Sequence, residues 1–111
     1  MTESEFQTRL LLKLRKHPDL KDAVIWKHAD HFNGGIPDVS ITVNGNTSWL
    51  ELKVAPNKLS RLQEHYLQKL GKRAYEVTLL SSGITIKSPA STVQVETLDQ
   101  AVDYIKSVCH Q

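Results

Sequence analysis

The sequence predicts an α/β fold in which a mixed sheet is flanked by helices, within a single domain over residues 1–111. Three observations predict it. Apolar residues recur with helical spacing near both ends of the chain and once in the middle. Short β-rich runs lie between these helices, and an Asn44-Gly45 pair joins two of them as a hairpin. The resulting order is helix, three strands, helix, one or two strands and a final helix.

The predicted helices cover residues 3–17, 60–70 and 98–108. Thr2 is a suitable N-cap for the first, and Pro18 ends it. The apolar stripe of that helix consists of Phe6, Leu10, Leu11 and Leu14. In the second helix Ser60 is the expected N-cap and Gln63 occupies the capping-box position. The last helix has an apolar face that suits either the sheet or a second subunit.

The remaining apolar runs predict strands over residues 23–28, 74–80 and 83–87, and a hairpin within residues 35–53. Asn44 and Gly45 suit a type I′ turn, because both of its central positions need a positive φ angle. With that turn at the tip, Asp38 falls directly opposite Glu51. Alternation then divides the hairpin into an apolar core face and a polar face. The polar face carries Asp38, Ser40, Thr42, Trp49, Glu51 and Lys53.

Asp38 and Glu51 are expected to form a non-hydrogen-bonded pair, with Cα atoms about 4.5 Å apart. Facing like charges are destabilising, and an all-oxygen pair suits a magnesium ion between them. Pro37 has no N–H to donate across the ladder, which leaves the main-chain carbonyl of Leu52 as a third ligand. Lys53 is placed to hold an attacking water or a phosphate. The alternative is a solvated face on which Lys53 merely bridges two exposed carboxylates.

Pro37-Asp38 followed after twelve residues by Glu51-Leu52-Lys53 resembles the signature of the PD-(D/E)XK nuclease superfamily. Further motifs resemble its VRR-NUC branch, whose stand-alone members are Holliday-junction-resolvase-like. These motifs are Glu3-x-x-Phe6-Gln7, Gly35-Ile36-Pro37-Asp38, Leu59-Ser60-x-x-Gln63 and Leu70-Gly71. The resemblance covers about residues 3–80, so the strand and helix over residues 83–109 lie outside it.

The resemblance implies a restriction-endonuclease-like αβββαβ core and metal-dependent hydrolysis of phosphodiester bonds in DNA. It implies that Asp38 and Glu51 bind Mg²⁺ or Mn²⁺, joined by the Leu52 carbonyl. Lys53 would position or activate water, and Gln63 would support the site. It also implies a homodimer that acts on branched, Holliday-junction-like DNA.

The resemblance further implies an acid on the opening helix, where Glu3 and Glu5 both fit. Glu3 is preferred as a catalytic residue and metal ligand, because it shares a helical face with Phe6 and Leu10 and so points toward the core. A favourable interaction with the helix dipole is the alternative explanation for either acid.

The net charge of +2 is mild, but basic residues are concentrated between Leu52 and Arg73, where six stand against Glu64 alone. Lys58 and Arg61 are candidate phosphate contacts in this segment, and His31 is a third in the preceding loop. A solvated helix face is the alternative interpretation.

No apolar run approaches the roughly 18 residues that span a bilayer, and the N-terminus is unlike a signal peptide. A cytoplasmic protein without a membrane partner is therefore expected. The competing function is a non-catalytic nucleic-acid-binding module on the same fold, and a small interaction protein is a third hypothesis. The residues do not choose between DNA and RNA or between endonuclease and exonuclease.

Overall fold

The computed structural model describes residues 1–29 and 34–111, so the predicted phosphate contact His31 lies outside the described residues. The elements in chain order are α1 (Glu3–Lys16), β1 (Val24–Lys27), β2 (Val39–Val43), β3 (Asn46–Val54), α2 (Arg61–Leu70), β4 (Ala74–Leu80), β5 (Gly83–Lys87), β6 (Thr92–Val95) and α3 (Leu98–Cys109). The predicted α/β class, a mixed sheet flanked by helices, is confirmed.

The six described strands form one sheet in the order β1-β2-β3-β4-β5-β6. β3 and β4 are parallel, and the other neighbours are antiparallel. A parallel pair needs a crossover connection, which α2 supplies. The sequence did not predict β6, because its alternating side chains are half-buried or exposed and give only a weak apolar signal.

The hairpin between β2 and β3 has the predicted turn, with positive φ angles of 51° at Asn44 and 81° at Gly45. Its register is also as predicted, from Val43 opposite Asn46 to Val39 opposite Leu50. The ladder ends there. Asp38 therefore lies one residue beyond the last paired position of β2, which matters for the direction of its carboxylate.

The helices α1 and α3 pack on one face of the sheet and enclose the apolar core. Its fully buried side chains include Phe6, Leu10, Leu14, Val39, Ile41, Leu50, Leu52, Val77, Ile86 and Ile105. Each contributes about 1.5–3 kcal/mol through removal from water. The apolar face of α3 is therefore used within the chain, against the sheet and α1.

The opposite, polar face of the sheet is partly covered by α2, whose residues are all half-buried or exposed. Gly35 lies directly against this helix. A Cβ atom at Gly35 would overlap the Tyr66 ring and lie 2.7 Å from Leu62 Cγ. The segment that leads into Asp38 is thus held against α2 by a close approach that only glycine permits. Within the described chain, no helix is long and apolar enough to cross a membrane.

Candidate active site

Glu51 is the most unusual residue on the polar face, because it is a carboxylic acid with only 1% of its surface exposed. Its Oε1 accepts a hydrogen bond from Gln63 Nε2 at 3.2 Å. Its Oε2 is buried and has no hydrogen-bond partner among the described residues. An unpartnered buried oxygen of this kind carries a desolvation penalty, which is greater still when the group is ionised.

Burial raises the pKa of Glu51 to about 9 from its ordinary value of 4.5. The neighbouring carboxylate of Asp38 acts in the same direction, as does the charge of Glu3, while Lys53 opposes them. A pKa shifted this far by burial and by neighbouring acids is typical of a functional site.

Asp38 is half-buried, and its Oδ2 accepts the N–H of Leu52 at 2.8 Å. Asp38 and Glu51 were expected to be directly paired across the two strands. The ladder stops before them, because β2 begins only at Val39. In a continued ladder the Leu52 N–H would donate to the carbonyl of Pro37, and here it donates to the carboxylate of Asp38 instead. Because a strand residue directs its N–H and C=O to the same neighbour, the Leu52 carbonyl faces this side as well, where Pro37 has no N–H to donate.

Lys53 lies beside the two acids with 12% of its side chain exposed. Its Nζ is 4.0 Å from Glu3 Oε1, and that oxygen also accepts a hydrogen bond from Asn57 Nδ2 at 3.2 Å. The interpretation of Lys53 as a bridge on a solvated face is wrong, because neither Glu51 nor Lys53 is solvated. Lys53, Asp38 and Glu51 instead form a cluster that is largely buried.

The two acids at the start of α1 have different surroundings. Glu3 approaches Lys53, as described above, whereas Glu5 is exposed and its Oε1 accepts the hydroxyl of Thr2 at 3.2 Å. Glu3 is thus the acid that the fold brings to the cluster, in contact with the lysine.

Gln63 connects the cluster to α2. Its side-chain Oε1 accepts the N–H of Ser60 at 2.8 Å, and its own N–H donates to Ser60 Oγ at 3.1 Å, which together form the predicted capping box. The side-chain Nε2 of Gln63 donates one hydrogen bond to Glu51 Oε1. One side chain therefore caps the helix and holds the buried acid.

The donor set fits a hard divalent cation. Carboxylate oxygens of Asp38 and Glu51 and the Leu52 carbonyl are ligands that suit Mg²⁺ or Mn²⁺, which commonly takes one or two carboxylates and keeps several waters. A cation would also supply the partner that Glu51 Oε2 lacks. Residues 1–29 and 34–111 contain no group of three or more acidic, histidine or cysteine side chains arranged to hold a metal. The role of Glu3 as a metal ligand therefore stays a prediction.

The predicted phosphate contacts Lys58 and Arg61 are both exposed. Lys58 lies in the loop before α2, and Arg61 is the first residue of that helix. The ring of Trp49, on the polar face, lies against that of His28, with centroids 5.5 Å apart. The contact was missed because the hairpin turn fixes the register of β2 and β3 only. The register of β1, which brings His28 close, has no comparable signal in the sequence.

The comparisons with known proteins add no assignment to this geometry. No protein-family model matches the chain, and no curated protein matches it.

Proposed function

We propose that the protein is a metal-dependent nuclease of the PD-(D/E)XK kind that hydrolyses phosphodiester bonds in DNA. The observation that carries the proposal is Glu51, which is 1% exposed, lies beside a second acid and a lysine, and keeps one oxygen without a partner among the described residues. A purely structural role is better served by an apolar side chain, because a buried carboxyl oxygen without a partner is costly whether or not the group is ionised. A non-catalytic binding module has no need for two acids that repel phosphate.

In this proposal the chain supplies the metal ligands and holds them in place. Asp38, Glu51 and the Leu52 carbonyl hold Mg²⁺ or Mn²⁺, with the Leu52 N–H fixing Asp38 and Gln63 fixing Glu51. When bound, the metal polarises the scissile phosphate and lowers the pKa of coordinated water.

Lys53 contributes a positive charge that acts on Glu51 and lowers its pKa. Its ammonium group orients the attacking water and stabilises negative charge that develops on the phosphate. Glu3 positions this ammonium group from α1, at 4.0 Å. Lys58 and Arg61 contact phosphates of the bound strand, which is consistent with their exposure and the local excess of positive charge.

The finer points of the proposal come from the resemblance of the motifs. Branched, Holliday-junction-like DNA is the proposed substrate, and a homodimer is the proposed assembly. A two-fold symmetric dimer matches the two-fold symmetry of a four-way junction. The restriction-endonuclease-like assignment is supported by the observed order of elements, in which α1, three strands, α2 and a strand follow one another.

Cleavage of a four-way DNA junction, a linear duplex and a single strand tests the proposal, each with Mg²⁺, Mn²⁺ or EDTA. We expect metal-dependent cutting by the wild type that is lost in Asp38→Asn and Glu51→Gln. Glu64→Gln is the matched control, because Glu64 is an exposed acid next to Gln63. We expect this variant to cut like the wild type.

Thermal unfolding of the same proteins separates metal binding from chemistry. A ligand present at 100 times its dissociation constant stabilises the folded state by about 2.7 kcal/mol. We expect Mg²⁺ or Mn²⁺ to raise the melting temperature of the wild type and Glu64→Gln, but not of Asp38→Asn or Glu51→Gln. Equal stabilisation of all four proteins contradicts the metal site, and absence of cutting by a metal-binding wild type contradicts the nuclease.

A further inference from the structure

An aromatic row crosses the polar face from the candidate active site to the edge of the sheet. Trp49 lies on β3 two residues before Glu51, so the two share a face about 7 Å apart along the strand. The Trp49 ring is 5.5 Å from the ring of His28 at an interplanar angle of 32°. The His28 ring is in turn 6.5 Å from that of Trp26 in an edge-to-face arrangement.

Hydrogen bonds hold the middle of this row in place. His28 Nε2 lies 2.8 Å from the hydroxyl of Ser40, which is buried between Trp26 and Trp49 in the strand register. The backbone N–H of His28 donates to the backbone carbonyl of Asp38 at 2.7 Å. The aromatic row and the candidate metal ligand Asp38 are therefore fixed to each other through the backbone.

The outer end of the row is open. Trp26 is 63% exposed, the highest value among the large apolar side chains of the described residues, and it stands on the edge strand β1. An exposed indole at a fixed angle beside further rings offers a free π-face. The functional site does not use it for metal binding or proton transfer.

We propose that the row formed by Trp26, His28 and Trp49 binds unpaired bases of the nucleic acid next to the scissile phosphate. This inference rests on the proposed function and specifies its substrate class, which is nucleic acid with a single-stranded segment at the cut. Stacked paired bases in a continuous duplex present no free face to these rings. Bases in single strands and at branch points do, and such stacking tolerates any sequence because every base has a π-face.

The basic residues that follow β3 along the chain favour nucleic acid as the ligand of this face. The segment from Leu52 to Arg73 carries six basic residues against Glu64, and exposed Lys58 and Arg61 lie in it. A strand held at the metal ligands comes close to Trp49, since Trp49 and Glu51 share one face of β3. Base stacking beside a basic track is the usual way in which proteins hold single strands.

Intrinsic fluorescence tests the inference directly, because Trp26 and Trp49 are the two tryptophans of the chain. The wild type is titrated in EDTA with a short oligothymidine and with an abasic oligomer that has the same number of phosphates. We expect oligothymidine to bind roughly tenfold more tightly or better, and to quench the fluorescence. In Trp49→Phe the remaining signal comes from Trp26, and we expect that signal to be quenched as well.

Trp26→Ala is the critical variant, and Leu12→Ala is its matched control, since Leu12 is 52% exposed on α1, away from the polar face. We expect Trp26→Ala to bind oligothymidine about tenfold more weakly by fluorescence anisotropy of labelled oligomers and to bind the abasic oligomer unchanged. We expect Leu12→Ala to match the wild type with both. Circular dichroism checks that each variant is folded.

Equal binding of the two oligomers by the wild type, or unchanged binding by folded Trp26→Ala, overturns the inference. So does self-association that Trp26→Ala abolishes without any preference for bases, because the row then belongs to an interface with a second copy. Since EDTA excludes cleavage, the result is independent of the chemistry. Preference for bases in a protein that never cuts DNA supports the row and overturns the nuclease.

Discussion

Gln63 Nε2 donates a hydrogen bond to Glu51 Oε1 at 3.2 Å, while the other end of the same amide caps α2 through the N–H of Ser60. The position of the helix and the orientation of the buried acid are therefore coupled through one side chain. A change at Gln63 therefore affects both the end of α2 and the candidate active site, although Gln63 is not a proposed metal ligand.

A comparison of Gln63→Ala with Ser60→Ala separates the two roles of this amide. Each variant removes part of the capping box and should cost about 1 kcal/mol of stability, measured by urea unfolding. Only Gln63→Ala releases Glu51. We therefore expect its cleavage rate to fall about 10- to 100-fold, whereas Ser60→Ala should cut nearly like the wild type. The same cleavage rate in both variants would show that the contact with Glu51 does not matter for function.

Replacement of Lys53 by methionine removes the charge and keeps most of the side chain. We expect the cleavage rate to fall roughly 10²- to 10³-fold, because the proposed role of Lys53 is exerted on charge in the transition state. DNA affinity and stabilisation by Mg²⁺ should persist. Lys58→Met is the matched control, since Lys58 is exposed, and it should chiefly weaken DNA binding. Undiminished cutting by Lys53→Met would remove Lys53 from the mechanism.

The metal-free protein should lose stability as the pH rises. Burial raises the pKa of Glu51 to about 9 in the folded state, against 4.5 as its ordinary value. Between these values the folded state holds the proton more tightly than the unfolded state, so the stabilisation is complete at low pH and is lost as the pH increases toward about 9. Urea unfolding in EDTA across this interval measures the effect.

The matched variants identify the group responsible for this pH dependence. Glu51→Gln cannot ionise, so we expect it to lack this component and to be more stable than the wild type at the alkaline end. Glu64→Gln should retain the full dependence of the wild type, because its exposed acid is not buried by folding. If Glu51→Gln shows the same decline as the wild type, another group titrates.

Gly35→Ala should disturb the site from outside it. The new methyl group would overlap the Tyr66 ring and approach Leu62. We expect this overpacking to lower the free energy of unfolding by about 1–3 kcal/mol. We expect α2 to shift and cleavage to fall with it. Gly34→Ala is the control, because a methyl group at Gly34 would have no described atom within 4 Å. Its stability should change by about 0.5 kcal/mol or less. Equal stability of the two variants would contradict the close approach.

The sequence allowed the hairpin to be predicted residue by residue. Asn44 and Gly45 restrict the turn to one type, and a two-residue turn leaves a single register. The capping box at Ser60 and Gln63 was likewise visible, because it depends on neighbours along the chain. Local rules therefore brought Asp38, Glu51 and Lys53 together before any tertiary information.

Features that depend on contacts between distant segments were not predictable in this way. The burial of Glu51 requires α2 to lie against the polar face of the sheet, where Gln63 reaches Glu51, and the sequence pattern of the helix does not specify that packing. The direction of Asp38 depends on where β2 ends, one residue short of the ideal ladder. The contact of Glu3 with Lys53 joins residues fifty positions apart, and helical periodicity could only indicate the face on which Glu3 lies.

One face of the sheet forms the apolar core and the other carries the candidate site, and this division affects how the protein can evolve. The large buried apolar side chains of β2 and β3 face α1 and α3, while the acids, Lys53 and the aromatic row occupy the other side. Substitutions around the site therefore leave the apolar core intact. Substrate preference can therefore change through substitutions on the polar face, while the apolar core on the opposite face keeps the fold stable.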